Sequence, residues 1–213
     1  MKDNTAEHPI PVTRSELFHH WQQRLNGNNL TELKVHYKDA DYFGEEDPDL
    51  DPDTLIYELV MKESTPDEGH LNWGHITLFP GKVKDEYFAT KGSYHINPNS
   101  EEYYLCMGGE GLIMYLNRQG DCWCEILEEG SLHHVPNGVA RRFINLGDTP
   151  LMISLCRPSN AGFDYDSVTE HPFPCHVYDD DGEMAIRVDV NDDESSEESD
   201  EEAFSEIEAL LKM

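Results

Sequence analysis

The chain has 213 residues and carries 15 Lys and Arg against 44 Asp and Glu, a formal charge of -29. A surface this acidic repels phosphate backbones and argues against nucleic acid as a partner, and no apolar run approaches the ~20 residues that span a bilayer, which argues against a membrane partner. The five cysteines are an odd number, unlike a secreted disulfide framework, and Met1-Lys2-Asp3-Asn4-Thr5 lacks the apolar core of a signal peptide, so a cytoplasmic chain with reduced thiols is expected.

In chain order, residues 1–53 are expected to form an N-terminal arm and an acidic linker. Ser15 to Trp21 suggests a short helix, with Thr13 or Ser15 as its cap. Asp39 to Asp53 is acidic and turn-rich. From Thr54 the pattern becomes one of short strands: Thr54 to Lys62, Leu71 to Phe79, Glu102 to Met107, Leu112 to Leu116, Cys122 to Leu127, Leu132 to Val135, Arg141 to Asn145 and Leu151 to Cys156. Turn clusters such as Asn117 to Asp121, Glu129-Gly130, Pro136-Asn137-Gly138 and Gly147 to Pro150 separate them. Even spacing of short strands indicates a sandwich or barrel, expected over residues 54–190. Residues 191–213 form the third segment. Asn191 to Glu202 reads NDDESSEESDEE, too charged to bury a core, and Phe204, Ile207, Leu210 and Leu211 after it share one helical face. Such a tail is either a solvated end or a peptide that docks on a partner.

The chemistry concentrates in the middle. His95 stands seven residues before Glu102, followed by Tyr103-Tyr104, the glycine-rich Gly108-Gly109-Glu110-Gly111 and a second strand. That layout is the layout of a cupin, an all-β, double-stranded β-barrel (jelly roll) that holds a metal at its mouth. Two residues before His95, where a cupin has another histidine, stands Ser93.

From Asp51 to Asp166 the chain resembles the cupin-type glucose-6-phosphate isomerases of archaea and some bacteria. The residues that carry the likeness are Leu78-Phe79-Pro80-Gly81-Lys82-Val83, Thr90-Lys91-Gly92, His95, Glu102-Tyr103-Tyr104, Val135-Pro136, Asn145 to Pro150 and Ala161 to Tyr165. The resemblance implies four side chains around one divalent metal (iron, manganese, nickel or zinc) that polarises the oxygens at C1 and C2 of an open-chain sugar, with a glutamate as candidate base. The implied ligands present here are His95 and Glu102. The first histidine position holds Ser93 and the last holds Arg141. Two ligands are too few for tight retention, so weak or no metal binding is expected, with Arg141 converging on Glu102.

On the substrate side the resemblance assigns the phosphate to Thr90 and Gly92 and places Tyr57, Tyr104 and Tyr165 near the sugar. By the same resemblance Arg157 stands where the family has a tyrosine near the phosphate, Phe163 where it has a histidine, and Ile76 where it has a second phosphate threonine. Plainer readings stay open: the three tyrosines as barrel filling, His95 as a polar residue of the wall, His133-His134 and Cys122/Cys124 as packing. Arg141 and Arg142 are adjacent, so one points in and the other is expected at the surface. Three functions follow: an isomerase interconverting glucose 6-phosphate and fructose 6-phosphate, using a re-sited metal with recruits such as His75 or His134 or no metal; a non-catalytic sugar-phosphate binder in which Arg141 replaces the metal; or an interaction protein led by its tail. A homodimer is expected, since cupin barrels commonly pair.

Overall fold

The computed structural model describes residues 14–19 and 24–188. The acidic block and its terminal helix, expected at 191–213, lie outside the described residues. The elements in order are β1 (Leu17–Phe18), β2 (Asn26–Gly27), β3 (Thr31–His36), a 3-10 turn (Tyr37–Asp39), β4 (Leu55–Lys62), β5 (Leu71–Leu78), β6 (Lys82–Val83), β7 (Glu86–Tyr87), β8 (Glu102–Gly108), β9 (Gly111–Leu116), β10 (Cys122–Leu127), β11 (Leu132–Val135), β12 (Ala140–Asn145), β13 (Leu151–Pro158), α1 (Asp166–Glu170), β14 (Cys175–Asp180) and β15 (Glu183–Val188).

All strand pairs are antiparallel. A six-stranded sheet runs β11-β8-β13-β5-β4-β3, and a three-stranded sheet runs β10-β9-β12. Their inner faces enclose one core that includes Ile56, Leu78, Cys106, Ile113, Leu127, Phe143, Leu151 and Ile153. This is the double-stranded barrel of a cupin. The three-stranded sheet is covered on its other side as well. Leu112, Met114, Leu116 and Ile144 face a second core with Val168, Phe173 and Val177, beneath a sheet ordered β15-β14-β7-β6. Side chains alternate faces along a strand, so β9 and β12 feed both cores and are buried throughout.

Two expectations are corrected. Ser15 to Trp21 is not a helix where it is described: Leu17–Phe18 pairs as a strand with Asn26–Gly27, and Ser15 Oγ both donates to Leu17 O and accepts from Leu17 N. A hydroxyl that bonds its own backbone locally competes with a helix. Arg142 is not a surface charge. The face of β12 opposite the barrel interior is roofed by the second core, and Arg142 is 3% exposed. Thr31–His36, which shows little beyond Leu33 and Val35 in alternation, joins the main sheet as the neighbour of β4.

Gly111 shows how closely the layers approach. A Cβ there would stand 2.2 Å from the carbonyl oxygen of Ile144 and 2.6 Å from Leu151 Cδ2. The Leu151 methyl could shift, but the Ile144 oxygen is backbone and cannot swing aside, because β12 is pinned on β9. Gly111→Ala is expected to destabilise the barrel by about 1–3 kcal/mol or more, read from chemical unfolding. Wild-type stability in this variant would show that β9 and β12 can part at little cost.

Candidate active site

Glu102 and Tyr104 are two residues apart on β8, so both enter the barrel interior from the six-stranded sheet. Arg141 enters from β12 of the opposing sheet. They meet in the core: Arg141 Nε lies 2.5 Å from Glu102 Oε1 and donates to the Tyr104 hydroxyl at 2.9 Å. The Tyr104 hydroxyl in turn donates to Glu102 Oε1 at 2.8 Å. Arg141 Nη1 donates to Ser93 O at 2.5 Å and to Ser93 Oγ at 2.9 Å, and the backbones of Ser93 and Arg141 form a bridge. His95 Nε2 lies 3.3 Å from Glu102 Oε1 without the alignment of a hydrogen bond, and its Nδ1 reaches Gly162 O at 3.3 Å. Glu102, Tyr104, Arg141, Ser93 and His95 are all buried.

Electrostatics follow from this packing. Burial alone would raise the Glu102 pKa. Burial is the largest single influence, but the Arg141 guanidinium, His95 and the Tyr104 hydroxyl together outweigh it and hold the carboxyl below its ordinary range. Burial likewise works against the Arg141 cation, but Glu102 and Tyr104 raise its pKa. Burial pushes the Tyr104 phenol far up, so it stays a neutral donor. The pair is therefore ionised and mutually dependent.

The donor set does not fit a metal. The place beside Glu102 Oε1 is filled by a guanidinium nitrogen, and Ser93 Oγ accepts from that same guanidinium. Among the described residues no group of three or more His, Cys, Asp or Glu is arranged to hold an ion. Neither suggested recruit turns to Glu102. Buried His75 faces His19 at 3.0 Å and its pKa is lowered to about 4 by burial. His134 is exposed and pairs with Glu101 at 3.0 Å.

Of the remaining candidates, all but Arg157 line one cavity with Arg141, and Arg157 lies behind Phe163 at its wall. Tyr57, Thr90, Gly92, Tyr104 and Tyr165 surround its mouth together with Ser93, Arg141 and Phe163. Thr90 Oγ1 already accepts from Phe143 N at 3.0 Å, which leaves its hydroxyl proton for a ligand. Gly92 takes φ +81°, a conformation a side chain would resist. Ile76 faces the same space. Arg157 Nη1 donates to Gly162 O at 3.0 Å, and its guanidinium lies 3.7 Å from the centre of the Phe163 ring. Phe163 also lies 5.6 Å from the Arg141 guanidinium and stacks on Tyr165. It covers both arginines, a role the sequence did not signal, because an aromatic in place of a histidine reads as a substitution rather than as a cover. The cavity left behind it is about 40 Å³, against roughly 300–1,000 Å³ for ordinary ligand sites.

A cupin barrel whose mouth carries a buried carboxylate, two arginines and three tyrosines defines the class. The family model for glucose-6-phosphate isomerase matches residues 30–195, and the chain belongs to that family. It is 32% identical over 157 residues to a glucose-6-phosphate isomerase of Thermococcus kodakarensis, covering 74% of this chain and 82% of that protein. It is 34% identical over 134 residues to that of Pyrococcus furiosus, covering 63% and 71%, and 32% identical over 118 residues to that of Sinorhizobium medicae, covering 55% of each. Among solved structures, oxalate oxidase in complex with glycolate superposes with a TM-score of 0.42 at 14% identity, covering 78% of this chain and 70% of that one. No helix among the described residues is long and apolar enough to cross a membrane.

Removing one member of the buried pair strands the other. Glu102→Gln is expected to cost about 3–5 kcal/mol of unfolding free energy, and Glu102→Gln with Arg141→Met to recover most of it. Because the folded pKa of Glu102 is depressed, its contribution is present above the unfolded carboxyl pKa and is lost as pH falls through the folded value. The acid limb of the wild-type stability curve should therefore flatten in the double variant. A cost below about 1 kcal/mol for Glu102→Gln would mean that the pair is not held as described.

Proposed function

We propose that this family member binds a sugar phosphate at the barrel mouth without a metal, Arg141 standing as the fixed cation in the metal's place. The observation that carries the reading is the 2.5 Å contact of Arg141 Nε with Glu102 Oε1, at the position the resemblance gives to the fourth ligand. A tethered cation needs no metal supply and satisfies the carboxylate that a missing metal would strand. In this reading Thr90, the Gly92 backbone and Arg157 take the phosphate through charge-assisted and backbone donors, and Tyr57, Tyr104 and Tyr165 face the sugar. The 40 Å³ cavity requires Phe163 to swing off Arg157 when ligand enters. The glucose-6-phosphate isomerase activity named for the relatives is, for this chain, a proposal of the second rank.

That second reading, metal-free isomerisation, has an observation of its own. Glu102 Oε2 and Arg141 Nη2 are buried and hydrogen-bond to nothing among the described residues. A free carboxylate oxygen could take the proton from C2 of the aldose and return it to C1, while the proton of the C2 hydroxyl passes to the C1 oxygen. A free guanidinium N–H could stabilise the oxyanion that develops between the two transfers. No redox partner is needed, since the proton leaves and re-enters the same substrate.

A homodimer is part of the proposal. Trp73, Cys156, Tyr103 and His134 are register partners across β5, β13, β8 and β11. Leu71, Trp73, Tyr103 and Leu132 are all exposed on this outer face. Light scattering on the purified chain that returns a monomer removes this element.

The deciding experiment joins three readings on protein purified without added metal: elemental analysis, calorimetry and a coupled isomerase assay. Glucose 6-phosphate and fructose 6-phosphate should bind, unphosphorylated glucose should not, and metal should be far below one per chain. Arg157→Gln should weaken the phosphates by roughly 10- to 100-fold. Ser93→His with Arg141→His should load one divalent ion per chain. Turnover by wild type that disappears in Glu102→Gln selects the second reading. Equal binding of all three sugars, or a full metal complement in the wild type, sinks the proposal.

A further inference from the structure

The other arginine of β12 has no obvious structural purpose. Arg142 points away from the barrel interior into the second core and is 3% exposed. Its Nε hydrogen-bonds to nothing among the described residues, and its guanidinium makes no ion pair among them. The rings of Tyr42 and Phe173 lie 5.8 and 5.5 Å from its central carbon. The buried carboxylate on this side, Glu86, is engaged by His176 Nδ1 at 2.6 Å and by Gly44 N at 2.8 Å. Burial lowers the Arg142 pKa, with Glu86 and Tyr42 offsetting this only in part. An uncompensated buried cation is costly, and folds rarely keep one without a use.

A cavity of about 220 Å³ opens beside it. Lys91, Arg142, Thr169 and His176 supply polar groups over an apolar floor of Val168 and Phe173. Lys91 Nζ pairs across the rim with Asp41 at 3.1 Å, and Asp41 is largely exposed, so Lys91 can turn inward while Asp41 returns to water. A few convergent polar groups in an apolar recess are the usual form of a small-molecule site. The chain carries a formal charge of -29 and repels anions at long range, so a ligand here must be held by close, desolvated contacts.

We propose that this outer cavity binds a small phosphate monoester, with the Arg142 guanidinium gripping two phosphate oxygens as a fork, Lys91 neutralising the second charge, and the organic part resting on Val168 and Phe173. A fork matches the tetrahedral oxyanion, and a dianion accounts for a second cation at the rim. The site is distinct from the barrel mouth but shares a wall with it. Thr90 and Gly92 face the inner cavity, while Lys91 between them faces the outer one. A Cβ on Gly92 would stand 2.6 Å from Phe173 and 3.0 Å from Arg142 Cβ. The segment 90–93 is therefore in contact with both ligands.

The test uses the full chain at low ionic strength, with inorganic phosphate and glucose 6-phosphate as separate probes in calorimetry and thermal unfolding. Wild type should show a phosphate-binding component that survives Arg157→Gln and weakens roughly 10- to 100-fold in Arg142→Gln. Val168→Trp, which fills the cavity and keeps the arginine, should remove the same component. Arg142→Met without ligand should melt at or above the wild-type temperature, because it deletes a stranded charge. Response to glucose 6-phosphate but not to inorganic phosphate assigns the organic part to the floor, and equal response assigns recognition to the phosphate alone. The proposal is overturned if wild type shows no such component, if it persists in both Arg142→Gln and Val168→Trp, or if Arg142→Met melts well below wild type. Loss of the Arg157-dependent component alone would overturn the sugar-phosphate reading of the barrel mouth and leave this one standing.

Discussion

Two opposite charges face each other inside an apolar barrel, 1% and 3% exposed, each contributed by a different sheet. Neither can be ionised there alone, because transfer of a bare charge out of water costs far more than one contact returns. The pair thus ties the position of β8 to that of β12. Tyr104 completes the triangle and Ser93 receives the far end of the guanidinium, so the loop before β8 is held by the same cation. A metal would bridge the same elements, but its occupancy would depend on supply and on ligand deprotonation. A tethered guanidinium is present whenever the chain is folded. In the proposed reading Ser93 and Arg141 belong together: the cation arrives with the strand, and an imidazole at residue 93 would have no ion to bind.

Alternation along β12 turns this local exchange into a property of the whole molecule. Arg141 serves the barrel interior, so Arg142 must enter the layer on the other side, and that layer is roofed by β14 and α1 rather than by water. An open antiparallel sheet would have left Arg142 in solvent. The covering sheet β15-β14-β7-β6 makes it a buried cation with no ion pair among the described residues, faced by the rings of Tyr42 and Phe173. The same covering gives the three-stranded sheet its second apolar face, and Cys122 and Cys124 from β10 pack into it beside Leu116 and Val177. The Cys122 thiol is pushed up by its hydrogen bond with Cys175 and by burial, and the Cys124 thiol by burial and Cys175 nearby, which suits packing rather than reactivity.

The main strands were legible in the sequence because their alternation is strong and glycine-bearing turns punctuate them. Cys122–Leu127 and Leu132–Val135 have the expected bounds, and the others shift by one or two residues. The convergence of Glu102 and Arg141 was legible too, since the resemblance puts both at positions expected to face one ion. The pair β14 and β15 went unread although Asp181-Gly182 between Asp180 and Glu183 is a strong hairpin signal. Both residues take positive φ, as a two-residue turn of this type requires. The acidic flanks of that turn masked the alternation of Val177, Met184 and Ile186. The burial of Arg142 could not be read without that hairpin, because only the covering sheet decides whether the second face of β12 is wet. Phe163 was hidden for another reason: its role depends on two arginines from β12 and β13 that the chain brings together only in three dimensions.

The charge distribution links the two cavities to their surroundings. A chain with 15 basic residues and a formal charge of -29 buries three arginines, 141, 142 and 157. Exposed lysines in the described part are largely matched by neighbouring carboxylates, as in Lys38 with Asp53 and Lys84 with Glu45. The potential seen from outside is therefore negative, while the potential inside both cavities is set by guanidinium groups that salt cannot reach. Added salt screens the outer repulsion over about 8–10 Å but leaves the desolvated contacts nearly intact. For an anionic ligand the consequence has a definite sign: raising salt from a low value speeds entry without weakening the bound state in proportion. This is opposite to the behaviour of a protein that captures phosphate with surface lysines, where screening removes the attraction itself. If both proposed sites take anions, an acidic shell around buried guanidinium groups selects for ligands small enough to leave the field of the surface and be held by a few buried forks.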